Sequence, residues 1–271
     1  MNFSKILAVE RTKQGGDGDR KDFFHYLLNA KDPETGLSFS TPELWAESNL
    51  VIIAGSDTPS TAIAGCFYYL THNARVLRAL EEEICSTFDN VDEIDNYSSN
   101  KLANCAYLRA VIDETMRMSP SVTGTVPREV LQGGIMIDGE YIPAGTTVGT
   151  GFYSLHHNPQ YFPDPFSYKP ERWIVGSNPE VTAESVDVAQ SGFFPFSFGP
   201  RDCISKNLAY MELRSVIART VWLFEMRLAP GSMVGDVETG AEDCRRQEFR
   251  LLDRWQAERD GPLMHFKRRV R

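Results

Sequence analysis

The sequence predicts a mainly α fold with a small antiparallel β component. Three observations carry that prediction. An apolar pattern opening at Ser40-Thr41-Pro42-Glu43 continues over residues 41–70, roughly 45 Å of helix at the standard rise. Helical spacing returns over residues 73–90, 102–118 and 206–224. Between them, residues 122–152 alternate apolar and polar side chains around Gly133-Gly134, Asp138-Gly139 and Pro143-Ala144-Gly145, the pattern of short hairpins.

Taken in order, residues 1–20 are polar, with no apolar run long enough for a signal peptide or anchor, and Gly15-Gly16-Asp17-Gly18-Asp19 reads as a flexible link. Phe23, Phe24 and Leu27 keep helical spacing, and Asp32-Pro33-Glu34-Thr35-Gly36 makes a turn. Ser40, Pro42 and Glu43 supply a hydroxyl cap, a first-turn proline and an acid, which start the long helix. Glu47, Ser48, Asn49, Ser56 and Asp57 lie inside it and make membrane insertion costly, so it is read as crossing a protein interior. Residues 158–173 are proline-rich and irregular, 176–192 read as a polar surface insertion, and 226–266 read as strands and hairpins leading into a basic tail.

The chain has 271 residues, 42% hydrophobic and 24% charged, an ordinary globular composition whose length allows one or two domains. A net charge of −9 argues against nucleic acid as the main partner. Five cysteines without paired spacing do not form a disulfide framework, which points to a reducing compartment. Cys66, Cys85, Cys105 and Cys244 read as buried small hydrophobes. His156 and His157 lack a third ligand at metal spacing and read as packed or surface histidines.

Cys203 differs from the other cysteines. Pro195, Gly199 and Pro200 forbid a helix before it, while Leu208, Met211, Leu213 and Ile217 keep helical spacing after it. A sulfur just ahead of a helix faces unpaired N–H groups and the positive end of the dipole, both of which favour a thiolate able to ligate iron. Inside the long helix, Gly55-Ser56-Asp57-Thr58-Pro59 has two readings. It is either a locally opened turn where an acid–alcohol pair delivers protons, or one helix's end followed by the next one's start. Glu114 and Arg117 share a helix face and can pair, a spacing that by itself usually marks only a solvated face.

In this order the motifs resemble those of the cytochrome P-450 family. Phe196, Gly199, Arg201 and Cys203 match its haem-binding loop, F-x-x-G-x-R-x-C-x-G, with Ser205 where the family has its last glycine. Gly55, Asp57 and Thr58 resemble the oxygen-binding motif, with Pro59 in place of its second hydroxyl residue. Glu114-Thr115-Met116-Arg117 resembles E-x-x-R, and Pro170-Glu171-Arg172-Trp173 resembles P-E-R-F. The resemblance implies haem b held through the Cys203 thiolate, with Arg128 and Arg201 on its propionates. Thr58 engages dioxygen, Asp57 feeds protons through water, and Glu114, Arg117 and Arg172 form a buried charged triad. Electrons come from NADPH through an NADPH-cytochrome reductase, and a lipophilic small molecule accepts one oxygen atom. Lys206-Asn207-Leu208-Ala209 and the ending Gly261-Pro262-Leu263-Met264-His265-Phe266 look like microsomal fungal members, many of which tailor terpenoids or polyketides in secondary metabolism.

On this resemblance, 1–271 is a single truncated domain, the C-terminal half of the cytochrome P-450 fold. Residues 41–70 are the oxygen-binding helix, and 195–224 are the cysteine loop and following helix. The substrate side is expected from 51–56, 121–126 and 251–255. A full-length form is expected at the endoplasmic reticulum membrane. The chain as written has no anchor and is expected to be cytosolic or peripherally membrane-associated, holding haem weakly. Two other readings stand beside the monooxygenase: a truncated, non-catalytic relic or interaction fragment, and haem chemistry without dioxygen, against which the Asp57–Thr58 pair counts.

Overall fold

The computed structural model describes residues 3–13, 21–95, 100–231, 248–254 and 256–270. Two compact units divide the chain, 1–57 and 58–271.

In the first unit, α1 (Phe3–Lys13) and α2 (Phe23–Asn29) are joined through Asp22. Its carboxylate accepts the His25 N–H at 2.9 Å as the α2 cap, and the Arg11 guanidinium at 3.0 and 3.2 Å. Asp32 Oδ1 then accepts the N–H groups of Glu34 (3.0 Å) and Thr35 (2.6 Å) and closes the expected turn. Helix α3 (Thr41–His72) starts where the sequence places it. The Ser40 N–H and hydroxyl both donate to Glu43, at 2.8 and 2.7 Å, which satisfies an amide the helix itself leaves unpaired.

Helix α3 is 32 residues long and neither ends nor restarts at Gly55–Pro59, which overturns the end-and-restart reading of that turn. Pro59 withdraws one N–H, but Thr61, Ala62, Cys66, Tyr68, Tyr69 and Leu70 beyond it are buried, and packing sustains the helix. By length and composition α3 could cross a membrane; its second half is instead a core helix.

The second unit holds the main core. Helices α4 (Ala74–Thr87), α5 (Ala106–Met118) and α8 (Lys206–Leu223) pack on one another. Leu80, Ile84, Leu108, Ile112, Leu213, Ile217 and Val221 interlock with the buried residues of α3. Residues 110–118 of α5 are all buried, polar ones included, so that stretch must find partners for its charges. Short helix α6 (Phe152–His156) and the 3-10 turn Pro170–Trp173 pack against α5.

Residues 176–192 are not simply a polar insertion, because they contain α7 (Ala183–Ser191). Thr182 and Ser185 make a reciprocal cap, and Val186 and Ala189 are buried.

Among the described residues the β component is four two-stranded antiparallel ribbons, two of them in 122–152, where the sequence predicts one sheet. β1 (Arg128–Glu129) pairs with β4 (Thr147–Val148), and β2 (Ile135–Ile137) with β3 (Glu140–Ile142). β5 (Phe224–Leu228) pairs with β8 (Met264–Arg268), and β6 (Leu251–Leu252) with β7 (Glu258–Arg259). Cys66 and Cys105 are buried as expected, and burial pushes the Cys66 thiol up to about 12. Cys85 is exposed, contrary to expectation, because α4 turns Leu80 and Ile84 to the core instead. Cys244 and Trp255 lie outside the described residues.

Candidate functional site

The site is built outward from a charge buried in α5. Glu114 and Arg117 have no exposed surface. Arg117 grips the carboxylate with two parallel bonds, Nε to Oε2 and Nη2 to Oε1, both 2.9 Å. Arg172 Nε donates to Oε1 at 3.1 Å, the Lys169 N–H at 2.9 Å, and the Trp173 indole to Oε2 at 3.0 Å. Burial pushes the Glu114 carboxyl upward, but Arg117, Arg172 and these bonds outweigh it and hold the group below the usual carboxylate range. The remaining Arg117 donors meet the carbonyls of His156 (2.9 Å) and Pro165 (2.7 Å). A pair this enclosed is a fixed point, since breaking it strands a charge in the core.

The cysteine loop is fastened beside this cluster at its root. Phe193 packs on Trp173 (ring centroids 4.7 Å) and on His156 (5.4 Å). The Phe194 N–H donates to His156 Nε2 at 3.1 Å. Phe196 packs on Tyr210 of α8 at 5.1 Å, and Tyr210 donates to the buried Asp113 of α5 at 2.8 Å. Burial raises the Asp113 carboxyl, with the Arg109 charge opposing that shift.

Past Phe196 the loop turns out to solvent. Ser197 (φ 60°) and Gly199 (φ 84°) take left-handed backbone. Space does not demand the glycine, because a Cβ there would meet nothing within 4 Å; its φ does. The Cys203 N–H closes the turn on the Phe196 carbonyl at 2.9 Å, and the Cys203 carbonyl accepts the Lys206 N–H at 3.2 Å as α8 begins. Cys203 is exposed, Phe198 is 76% exposed and Ile204 entirely so. Ser205 has φ −93°, an ordinary value, so serine is no backbone misfit there. Arg128 and Arg201 are both exposed, and Arg128 Nη1 donates to the Pro127 carbonyl at 2.9 Å.

Asp57 is exposed on α3 and Thr58 is half-buried. The Thr58 carbonyl accepts the Ser121 hydroxyl at 2.8 Å, and Arg259 donates to the Thr61 hydroxyl at 2.9 Å. The Ala257 N–H donates to the Ser121 carbonyl at 2.9 Å, and Val122 bridges Gln256. Segment 121–126 therefore meets 256–257, just beyond the expected 251–255, beside Thr58, and within the expected segment Asp253 lies against Gly124. The third, 51–56, is exposed along α3.

Sequence reasoning missed His156, Ser121 and the Trp173 indole as structural partners. Trp173 lies inside a motif that could have flagged it. His156 stands 38 residues from Phe194, and no spacing signals that contact. Neither histidine joins a metal cluster: no group of three or more ligating side chains occurs among the described residues, and His157 faces Glu248 at 3.2 Å.

The chain matches the family model for cytochrome P-450 over residues 2–244. It belongs to the cytochrome P-450 family. It is 42% identical over 252 residues to the cytochrome P-450 monooxygenase apf7 of Gibberella fujikuroi, covering 92% of this chain and 46% of that protein. It is 40% identical over 271 residues to the monooxygenase lcsN of Purpureocillium lilacinum, covering all of this chain and 76% of that one. The solved cytochrome P-450 CYP102L1 shares the fold, with TM-score 0.77 at 22% identity over 98% of this chain and 55% of that one. The chain thus spans about half the length of most relatives it matches.

The family is one of haem-thiolate proteins, and the donor set here suits such a group. The loop tip offers an exposed soft sulfur between exposed apolar side chains, and two exposed guanidiniums stand ready for carboxylates.

Proposed function

We propose that the protein is a haem-thiolate monooxygenase placing one oxygen atom of O2 in a lipophilic substrate and releasing the other as water. NADPH supplies the two electrons through a reductase. The observation that carries this reading is the exposed Cys203 on a loop whose root is locked to a buried charge cluster. Haem b would supply oxygen binding and transfer.

The chain's residues do the rest. Cys203 would hold the iron as thiolate, and Phe196 and Gly199 shape the loop that would present it. Arg128 and Arg201 would bind the propionates through charge-assisted bonds. The Thr58 hydroxyl would hold a proton for the oxygen, and the exposed Asp57 carboxylate would replenish it through water. The segments meeting at Ser121 and Ala257 form part of the wall for an apolar substrate. The relatives support a fungal monooxygenase, being named cytochrome P-450 monooxygenases of Gibberella fujikuroi and Purpureocillium lilacinum. We extend that reading ourselves to a role tailoring terpenoids or polyketides in secondary metabolism, with a full-length form at the endoplasmic reticulum membrane.

Thr58→Ala tests the proton path. In haem-loaded protein supplied with reductase, ligand binding persists while product falls about 10²-fold and the electrons appear as peroxide. Equal coupling in variant and parent would contradict the assignment.

A further inference from the structure

We infer that His156 is a positioning residue for the cysteine loop: its imidazole accepts the Phe194 N–H, its carbonyl accepts the Arg117 guanidinium, and it thereby straps the loop's root to the charge cluster. The inference deepens the proposed function, since it matters to catalysis only if Cys203 is the working residue.

Both ends of the strap are short, 3.1 Å to Phe194 and 2.9 Å to Arg117, and His156 has no exposed surface. Its ring stacks near Phe152 (6.2 Å) and packs on Phe193 (5.4 Å), so it has little freedom to turn. Because Phe194 donates, Nε2 must carry the lone pair and Nδ1 the proton. Burial, then the charges of Arg117 and His157, push the imidazole down to about 3, so the acceptor persists through the neutral range. Its buried Nδ1 has no hydrogen-bond partner among the described residues, although the Met116 backbone lies close enough to oppose the downward shift in part. A fold that retains a buried donor so poorly served is using the other face of the ring.

Phe194 is a sensitive place to pull. Pro195 follows it and restricts its backbone, and its carbonyl accepts the Ser197 N–H at 3.0 Å. The Ser197 turn then leads to the Phe196 carbonyl that receives Cys203. Releasing the Phe194 N–H loosens the first link in that series.

The test compares His156→Leu with His156→Gln in the full chain, because a glutamine oxygen can replace the Nε2 acceptor and leucine cannot. Amide hydrogen exchange is read at Phe194 and across 194–203, alongside alkylation of Cys203 with exposed Cys85 as internal control. Leucine should lower protection at Phe194 about tenfold or more and speed Cys203 alkylation relative to Cys85, while glutamine restores both toward the parent. Unchanged protection in the leucine variant, or equal loss in both variants, would overturn the inference. If the leucine variant does not fold, nitrogen NMR of the parent imidazole decides: an unprotonated Nε2 coupled to the Phe194 amide supports the strap, and a protonated Nε2 near neutral pH contradicts it. None of these readouts needs haem, so a failed monooxygenase assignment leaves them intact.

Discussion

The two halves of the cysteine loop, root and tip, are held in opposite ways. The root, 193–196, is held by rings and a backbone bond to α6, α8 and the turn carrying Trp173. The tip, from Ser197 to Ile204, has left-handed backbone at two residues and apolar side chains in solvent. The contrast teaches that the fold invests its order behind the cysteine and leaves the reactive face open. On the proposed reading Cys203 meets a large flat ligand and cannot be buried, so its position is set from the rear.

The largest way to break this contrast is Glu114→Ala. It strands Arg117 in the core, and urea unfolding should show a loss of about 3–5 kcal/mol, or failure to fold in soluble form. A loss no larger than that of a surface change would mean the root does not depend on the cluster.

Acid sharpens the same point. His156 titrates at about 3 in the folded protein against an ordinary 6.5, so between those values the unfolded chain binds a proton that the folded chain refuses. Its contribution is therefore fully present above pH 6.5 and erodes as pH falls, at up to on the order of 1 kcal/mol per pH unit. Glu114, held below its usual range, begins to lose its own contribution only at lower pH. The parent's excess slope over His156→Gln should thus be visible from pH 6.5 down to about 5, before carboxylates dominate. Parallel curves for the two proteins would deny that His156 is neutral in the fold.

At the tip, Gly199→Ala should cost only about 1 kcal/mol, because it strains one left-handed residue and meets no neighbour. Its effect should stay in the loop, seen as faster exchange from 197 to 203 with the core unchanged. Loss of core protection as well would show that root and tip are one cooperative piece.

What the sequence made legible was local. The start of α3 is written in Ser40 and Glu43, three residues apart, and the Glu114–Arg117 pair in one helical turn. Helix α7 escaped notice because its cap uses Ser185 where an acid is the usual signal. The two ribbons of 122–152 were read as one sheet because strand pairing is not local: β1 meets β4 across the segment that contains β2 and β3. The closing of the site was hidden for the same reason, since His156 reaches Phe194, and Ser121 reaches Thr58, from distant stretches without motif or period.

The central claim is that Cys203 is the iron ligand on an open tip whose root stands without it. Its most direct test is the ferrous–carbon monoxide spectrum of haem-loaded Cys203→Ala beside alanine variants of Cys66, Cys85 and Cys105. The account predicts that only Cys203→Ala loses the red-shifted thiolate Soret band, while its unfolding free energy stays within about 0.5 kcal/mol of the parent in the haem-free protein. Retention of that band in Cys203→Ala, with its loss in another cysteine variant, would contradict the account.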